Sequence, residues 1–154
     1  RTARVMCSPG RGTGLRFSQG RRASATMARM TRTPVQGTTP QGAYSPGIIA
    51  EGRFLYVSGQ GPLADGTYDP ATIEDETRAT LENIGRILSS AGAGFGDVVR
   101  CGVFLADIND FDGMNGVYAS FFDGPRPART TVQVGALPGG IKVEIDCVVL
   151  LPSS

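Results

Sequence analysis

The sequence predicts a small α+β domain, and three observations carry that expectation. Strand-like and helix-like segments follow one another in the order β-β-α-β-α-β-β. The 154 residues are 40% hydrophobic and 19% charged, enough to bury a core without disulfides or metal. No internal repeat and no second domain appears, so residues 33–154 read as one domain with its helices packed on one sheet face.

Ile48-Ile49-Ala50 and residues 54–60, Phe54-Leu55-Tyr56-Val57-Ser58-Gly59-Gln60, read as two short strands joined by a turn at Glu51-Gly52-Arg53. Asp65-Gly66 marks a further turn. Asp69-Pro70-Ala71-Thr72 opens a helix, with Pro in the first turn and Glu74, Asp75 and Glu76 near the positive end of its dipole. Ile73, Thr77, Leu81, Ile84, Leu88 and Ala91 then form one apolar stripe at three- and four-residue steps, and Gly92 supplies the stop.

Residues 98–105 are a mostly apolar run suited to a central strand. Asp107, Asn109 or Asp110 caps a second helix whose inner side is Phe111, Met114, Val117, Tyr118, Phe121 and Phe122, ended by Pro125 and Pro127. Residues 130–134 form a strand, residues 135–140 a turn, and residues 141–151 a long last strand.

Residues 1–32 hold eight Arg and no acid, with no apolar periodicity, and read as a disordered basic leader. Such a leader resembles a mitochondrial or plastid transit peptide, but the amphipathic pattern is missing. The favoured expectation is therefore upstream sequence ahead of a start at Met27 or Met30, in a cytoplasmic protein; a nucleic-acid arm is the third reading. The remaining 122 residues carry seven basic and fourteen acidic side chains, and a body of net −7 binds polyanions poorly.

The chain has no His, which excludes Ser-His and Cys-His nucleophiles and imidazole acid/base chemistry. Cys7, Cys101 and Cys147 fit neither a disulfide framework nor a zinc cluster, and the expectation is no metal and no cofactor. Cys101 and Cys147 fall in strand patterns as small buried hydrophobes. No run of about 18 apolar residues is present to cross a membrane as a helix.

The last two strands give the sharpest site expectation. Val143, Ile145, Cys147 and Val149 share one face of the final strand, and Lys142, Glu144 and Asp146 the other. If the two strands form a hairpin that matches apolar with apolar positions, Arg129, Thr131 and Glu144 share a polar face. That arrangement is either an ordinary cross-strand ion pair or a grip for a small charged ligand.

Resemblance favours the second. Pro127-Ala128-Arg129-Thr130-Thr131-Val132-Gln133-Val134, continuing through Leu137-Pro138 to Lys142-Val143-Glu144-Ile145, resembles the closing motif of the RidA (YjgF) family of enamine/imine deaminases. Gly42-Ala43-Tyr44-Ser45-Pro46-Gly47, Val57-Ser58-Gly59-Gln60 and the region from Leu105 to Phe122 resemble its other motifs in the right order. The resemblance implies a homotrimer of chorismate-mutase-like subunits with ligand clefts between neighbours. It also implies hydrolysis of 2-iminopropanoate, 2-iminobutanoate and related enamines to 2-oxo acids and ammonia.

Carried over by position, Arg129 binds the substrate carboxylate, Glu144 handles water, and Tyr44, Ser58, Gly59, Asn115 and Thr131 line the cleft. Thr131 stands where many relatives have Cys, and Ala43 replaces the opening Pro. Tyr118 reads as core, Tyr44 as an exposed functional residue, and Asn115 beside Gly116 as a poor local helix choice. The competing expectations are a non-catalytic trimeric binder of 2-oxo acids and an RNA-cleaving protein.

Overall fold

The computed structural model describes residues 31–64 and 66–152. Its order is β1 (Thr31–Val35), β2 (Gly47–Glu51), β3 (Phe54–Gln60), α1 (Ile73–Ser90), β4 (Val98–Leu105), α2 (Phe111–Ser120), β5 (Ala128–Gln133) and β6 (Val143–Leu150). The expected α+β class holds: two helices cover one face of a mixed four-stranded sheet, β3-β6-β4-β5. Among the described residues, no helix is long and apolar enough to cross a membrane.

Two features differ from the expectation. β1 begins at Thr31, so Thr31 and Arg32 belong to a strand, and residues 1–30 of the expected leader lie outside the described residues. β1 pairs antiparallel with β2, placing Arg32 opposite Ala50 and Pro34 opposite Ile48. The turn at Gly52, with φ 145°, therefore joins two different sheets and does not close a hairpin between β2 and β3. Of the Asp65-Gly66 turn, Gly66 has φ 79° beside an Ala64–Thr67 bridge, and Asp65 is outside the described residues.

α1 starts one step later than the Asp69-Pro70 signal. Thr72 is its N-cap: the hydroxyl accepts from the Asp75 N–H at 3.2 Å and donates to the Asp75 carboxylate at 2.9 Å. Pro70 therefore precedes the cap. Ile73, Thr77, Leu81, Ile84 and Leu88 are buried as the stripe requires, while Ala91 is the exposed C-cap, followed by Gly92 at φ 70°. Against this stripe β4 sets Cys101, Val103 and Leu105, and β6 sets Val143, Ile145, Cys147 and Val149, none more than 2% exposed. α2 adds Met114 and Tyr118, both 0% exposed.

Glu76 sits inside this core at 1% exposure. Its Oε1 accepts from the Tyr68 hydroxyl at 2.7 Å and from Lys142 Nζ at 3.3 Å, and Oε2 accepts from the Lys142 N–H at 2.8 Å. Burial alone would raise this carboxyl's pKa, but the bonds from Lys142, Tyr68 and Ala71 win and hold it below its ordinary value of 4.5. Tyr68, desolvated and donating to Glu76, is pushed up to about 12. A carboxyl with a depressed folded pKa stabilises above its unfolded value and loses that contribution as pH falls through the folded one. Glu76→Gln is thus expected to lower stability at pH 7 by about 2–4 kcal/mol. Thermal melts should show the gap from wild type closing as pH drops below 4.5.

The largest correction concerns the last two strands. β5 and β6 do not pair: β4 lies between them, antiparallel to β6 and parallel to β5. Two β-α-β crossovers, β3-α1-β4 and β4-α2-β5, leave a gap between β3 and β4 that β6 fills. The connection over residues 134–142 is also too long for a tight hairpin. The even-numbered face of the sheet, with Tyr56 75% and Val132 40% exposed, has no helix over it.

Candidate functional site

The expected site residues fall into two groups on opposite faces of the sheet. Arg129 is the parallel ladder partner of Cys101 and Thr131 that of Val103, so both side chains share the helix-covered face. Glu144 is the partner of Phe104 and projects from the uncovered face. The common polar face for Arg129, Thr131 and Glu144 does not exist in one copy of the chain, because it required the β5-β6 hairpin.

The first group surrounds Arg129, which extends from the edge strand β5 towards α2. Its Cζ lies 4.6 Å from the Tyr118 ring centroid and 5.6 Å from those of Tyr44 and Phe111. Nη2 donates to Asn115 Oδ1 at 2.8 Å, and that same oxygen accepts from the Ala43 N–H at 3.1 Å. One amide oxygen on α2 therefore fixes both the guanidinium and the loop that carries Tyr44.

Ser45 ties that loop down: its N–H donates to the Pro127 carbonyl at 2.9 Å and its hydroxyl to the Arg126 carbonyl. Gly42 is required here, since a Cβ would lie 2.9 Å from Arg129 Nη2 and 3.3 Å from Asn115 Oδ1. Tyr44, Asn115, Arg129 and Thr131 thus come together as expected, around a cleft of about 230 Å³ completed by Gln41 and Phe111.

The electrostatics of this cleft are one-sided. Burial lowers the Arg129 pKa, and no carboxylate forms an ion pair with it among the described residues. Its Nε and Nη1 and the Thr131 hydroxyl are buried without a hydrogen-bond partner. A partly desolvated cation with two idle donor atoms and an idle hydroxyl beside it has the chemistry to accept a small anion, and a planar carboxylate fits a guanidinium two-pronged.

The second group sits on the uncovered face. Between Val57 and Gln60 the β3-β6 register slips, so Ser58 and Gly59 form a bulge beside Asp146. The Glu144 side chain lies over Gly59; a Cβ there would stand 2.7 Å from the Glu144 carboxyl carbon and 3.0 Å from its Cγ. Glu144 is half-buried, and no hydrogen bond or ion pair from a described residue reaches its carboxylate. Asp146, by contrast, is engaged: Oδ1 accepts from the Gly102 N–H at 2.8 Å and lies 3.6 Å from Arg100.

Residues 36–151 match the Ribonuc_L-PSP family, described as Endoribonuclease L-PSP. The chain belongs to this family. The rat protein named 2-iminobutanoate/2-iminopropanoate deaminase is 42% identical over 109 residues, covering 70% of this chain and 79% of the rat protein. The Schizosaccharomyces pombe protein mmf2, described as mitochondrial, is 37% identical over 124 residues, covering 77% of this chain and 98% of its own. Among solved structures, E. coli TdcF with bound serine superposes with a TM-score of 0.61 at 36% identity, over 76% of this chain and 92% of that one. The RidA (YjgF) resemblance and its fold are thereby borne out.

The sequence reads Tyr118 and Phe111 as packing residues and Gly42 only as part of a family-like motif, and it gives Gln41 no role. Tyr118 is core, at 0% exposure, and also the platform under Arg129. No local pattern separates the two roles; only the partner across the fold does.

Proposed function

We propose that the chain hydrolyses small reactive 2-imino acids and their enamine tautomers to 2-oxo acids and ammonia, removing metabolites that damage other enzymes. We further propose that the sites lie between neighbouring copies of a homotrimer. One copy supplies Arg129, Asn115, Tyr44 and Thr131, and its neighbour supplies Glu144, Ser58 and Gly59. The observation that carries the reading is half-buried Arg129, its guanidinium ringed by three aromatic residues and its Nε and Nη1 without a partner among the described residues. The opposed faces of Arg129 and Glu144 support a site shared between copies, and the uncovered face bearing Tyr56, Val132 and Glu144 suits coverage by a second copy.

In this scheme Arg129 holds the substrate carboxylate and so fixes C2, the imino carbon. Glu144 takes a proton from water as its oxygen bonds to C2, and the C=N bond becomes a C–N single bond. Glu144 then returns the proton to the amine; ammonia leaves as the C2 hydroxyl gives its own proton to Glu144 and becomes the carbonyl. The iminium carbon is intrinsically electrophilic, so orientation and one base suffice, without metal or cofactor. The bulge at Gly59 lets a backbone carbonyl approach the iminium N–H.

The test has two parts. Purified protein is given 2-iminobutanoate made in situ by an amino-acid oxidase, and release of 2-oxobutanoate must exceed that in buffer. Arg129→Ala and Glu144→Gln subunits, each expected to be inactive, are then unfolded, mixed and reassembled. A site shared between copies restores about a quarter of the wild-type sites in an equal mixture. No restoration, with wild type reassembling actively, overturns the shared site.

A binder without turnover would show 2-oxobutanoate raising the melting temperature and no imine hydrolysis. For location, the reading is cytoplasmic; the basic residues 1–32, together with a relative described as mitochondrial, support import into an organelle as the alternative.

A further inference from the structure

Behind Arg129 a row of side chains crosses the sheet on the helix-covered face. Arg129 is the ladder partner of Cys101, Cys101 of Cys147, and Cys147 of Val57. Cys101 and Cys147 are thus directly opposed on adjacent antiparallel strands, a placement that brings Cβ atoms within disulfide reach. Both are free thiols, each 2% exposed. The Tyr118 hydroxyl, on the Cys101 side of its ring, is buried with no hydrogen-bond partner among the described residues, and the Tyr118 ring is the one nearest Arg129, at 4.6 Å. No step of the proposed hydrolysis uses either sulfur.

We propose that Cys101 and Cys147 are a peroxide-sensitive dithiol whose closure to a disulfide weakens carboxylate binding at Arg129. The Cys147 thiol donating towards the Cys101 sulfur, helped by Tyr118 and against burial, lowers the Cys101 pKa, while the same contact and burial raise that of Cys147. Either thiol can attack and the other resolve, with the same disulfide as product; Cys101 as attacker illustrates the step. The Cys101 sulfur takes the distal oxygen of a hydroperoxide as the O–O bond breaks, giving a sulfenic acid and an alcohol, or water when the oxidant is hydrogen peroxide. The Cys147 sulfur then displaces that oxygen as water, forming the S–S bond. Two thiols lose two electrons and two protons, and the peroxide is reduced.

Closure draws the sulfurs to about 2.0 Å. It pulls β4 towards β6 and so shifts the strand paired with β5, which carries Arg129. Burial sets the selectivity: hydrogen peroxide is small enough to enter during local opening, whereas glutathione disulfide is not.

The effect on binding rests on the reading of Arg129 as a carboxylate receptor; the disulfide itself does not. The full chain is treated with hydrogen peroxide or with glutathione disulfide, and thiols are counted in denaturant alongside peptide mapping. A Cys101–Cys147 cross-link is expected with peroxide only. The apparent affinity for 2-oxobutanoate, read by calorimetry, should fall at least about fivefold and recover with dithiothreitol. Cys147→Ala should show no cross-link and no peroxide-dependent fall; if it does not fold, Cys101→Ala serves the same purpose.

Thiols that remain titratable, a link through Cys7, or a Cys101–Cys147 link that leaves an initially measurable affinity unchanged would overturn the proposal. Failure of reduced protein to bind 2-oxobutanoate would instead overturn the Arg129 reading, and with it the coupling, while the cross-link would be judged by mapping alone.

Discussion

Arg129→Ala is expected to reduce kcat/KM for 2-iminobutanoate by about 10²–10³-fold, since two charge-assisted hydrogen bonds to a carboxylate are lost. Arg129→Lys should recover little. A lysine ammonium offers a point charge where the cleft is built for a plane: Tyr118 at 4.6 Å and Phe111 and Tyr44 at 5.6 Å stack on the guanidinium, and Asn115 Oδ1 takes one of its edges at 2.8 Å. Both variants should also lose the thermal shift given by 2-oxobutanoate, while circular dichroism shows the fold retained. An active Lys variant with unaltered KM would show that the carboxylate is held elsewhere.

Glu144→Gln should separate binding from chemistry. The amide keeps the shape of the side chain over Gly59 and removes only its ability to accept a proton, so kcat is expected to fall by about 10²–10⁴-fold. With Arg129 holding the carboxylate as proposed, the affinity for 2-oxobutanoate should change little. Gly59→Ala approaches the same loss by a different route: its methyl occupies the space of the Glu144 carboxyl, whose carbon would be 2.7 Å away, and displaces the base. Stopped-flow measurement of oxo-acid release checks both. If Glu144→Gln keeps its kcat, the water is activated by another group, and the pairing of two faces across copies loses its purpose.

How far the sequence could be read depended on whether the deciding partner was local. β4 was legible residue for residue, because a mostly apolar run bounded by polar residues needs no information from elsewhere. α1 was legible through its stripe, and only its start was misplaced, the Asp69-Pro70 signal standing ahead of the Thr72 cap. β1 was not, because Thr31-Arg32-Thr33-Pro34-Val35 has little strand character until β2 lies against it.

The order of strands was the costliest miss, although a signal existed. The β6 face of Val143, Ile145, Cys147 and Val149 is apolar enough for a central strand, while Arg129-Thr130-Thr131 suits an edge. Reading adjacency in sequence as adjacency in space put the two together. Likewise, the residues of the candidate site were legible from family likeness one at a time, but which face each occupies follows from strand order, and so that was lost with it.

The placement of β6 also bears on how the molecule is made. The strand in the middle of the sheet is the last one synthesised, and β3 and β4 hydrogen-bond to it and not to each other. On the ribosome, about ninety residues must therefore wait with two ladder edges unsatisfied, which is a burden of high contact order and an opening for aggregation. Assembly of the sheet in this sense waits for its latest strand, and nascent-chain chaperones have their natural target in the interval before Val143–Leu150 emerges.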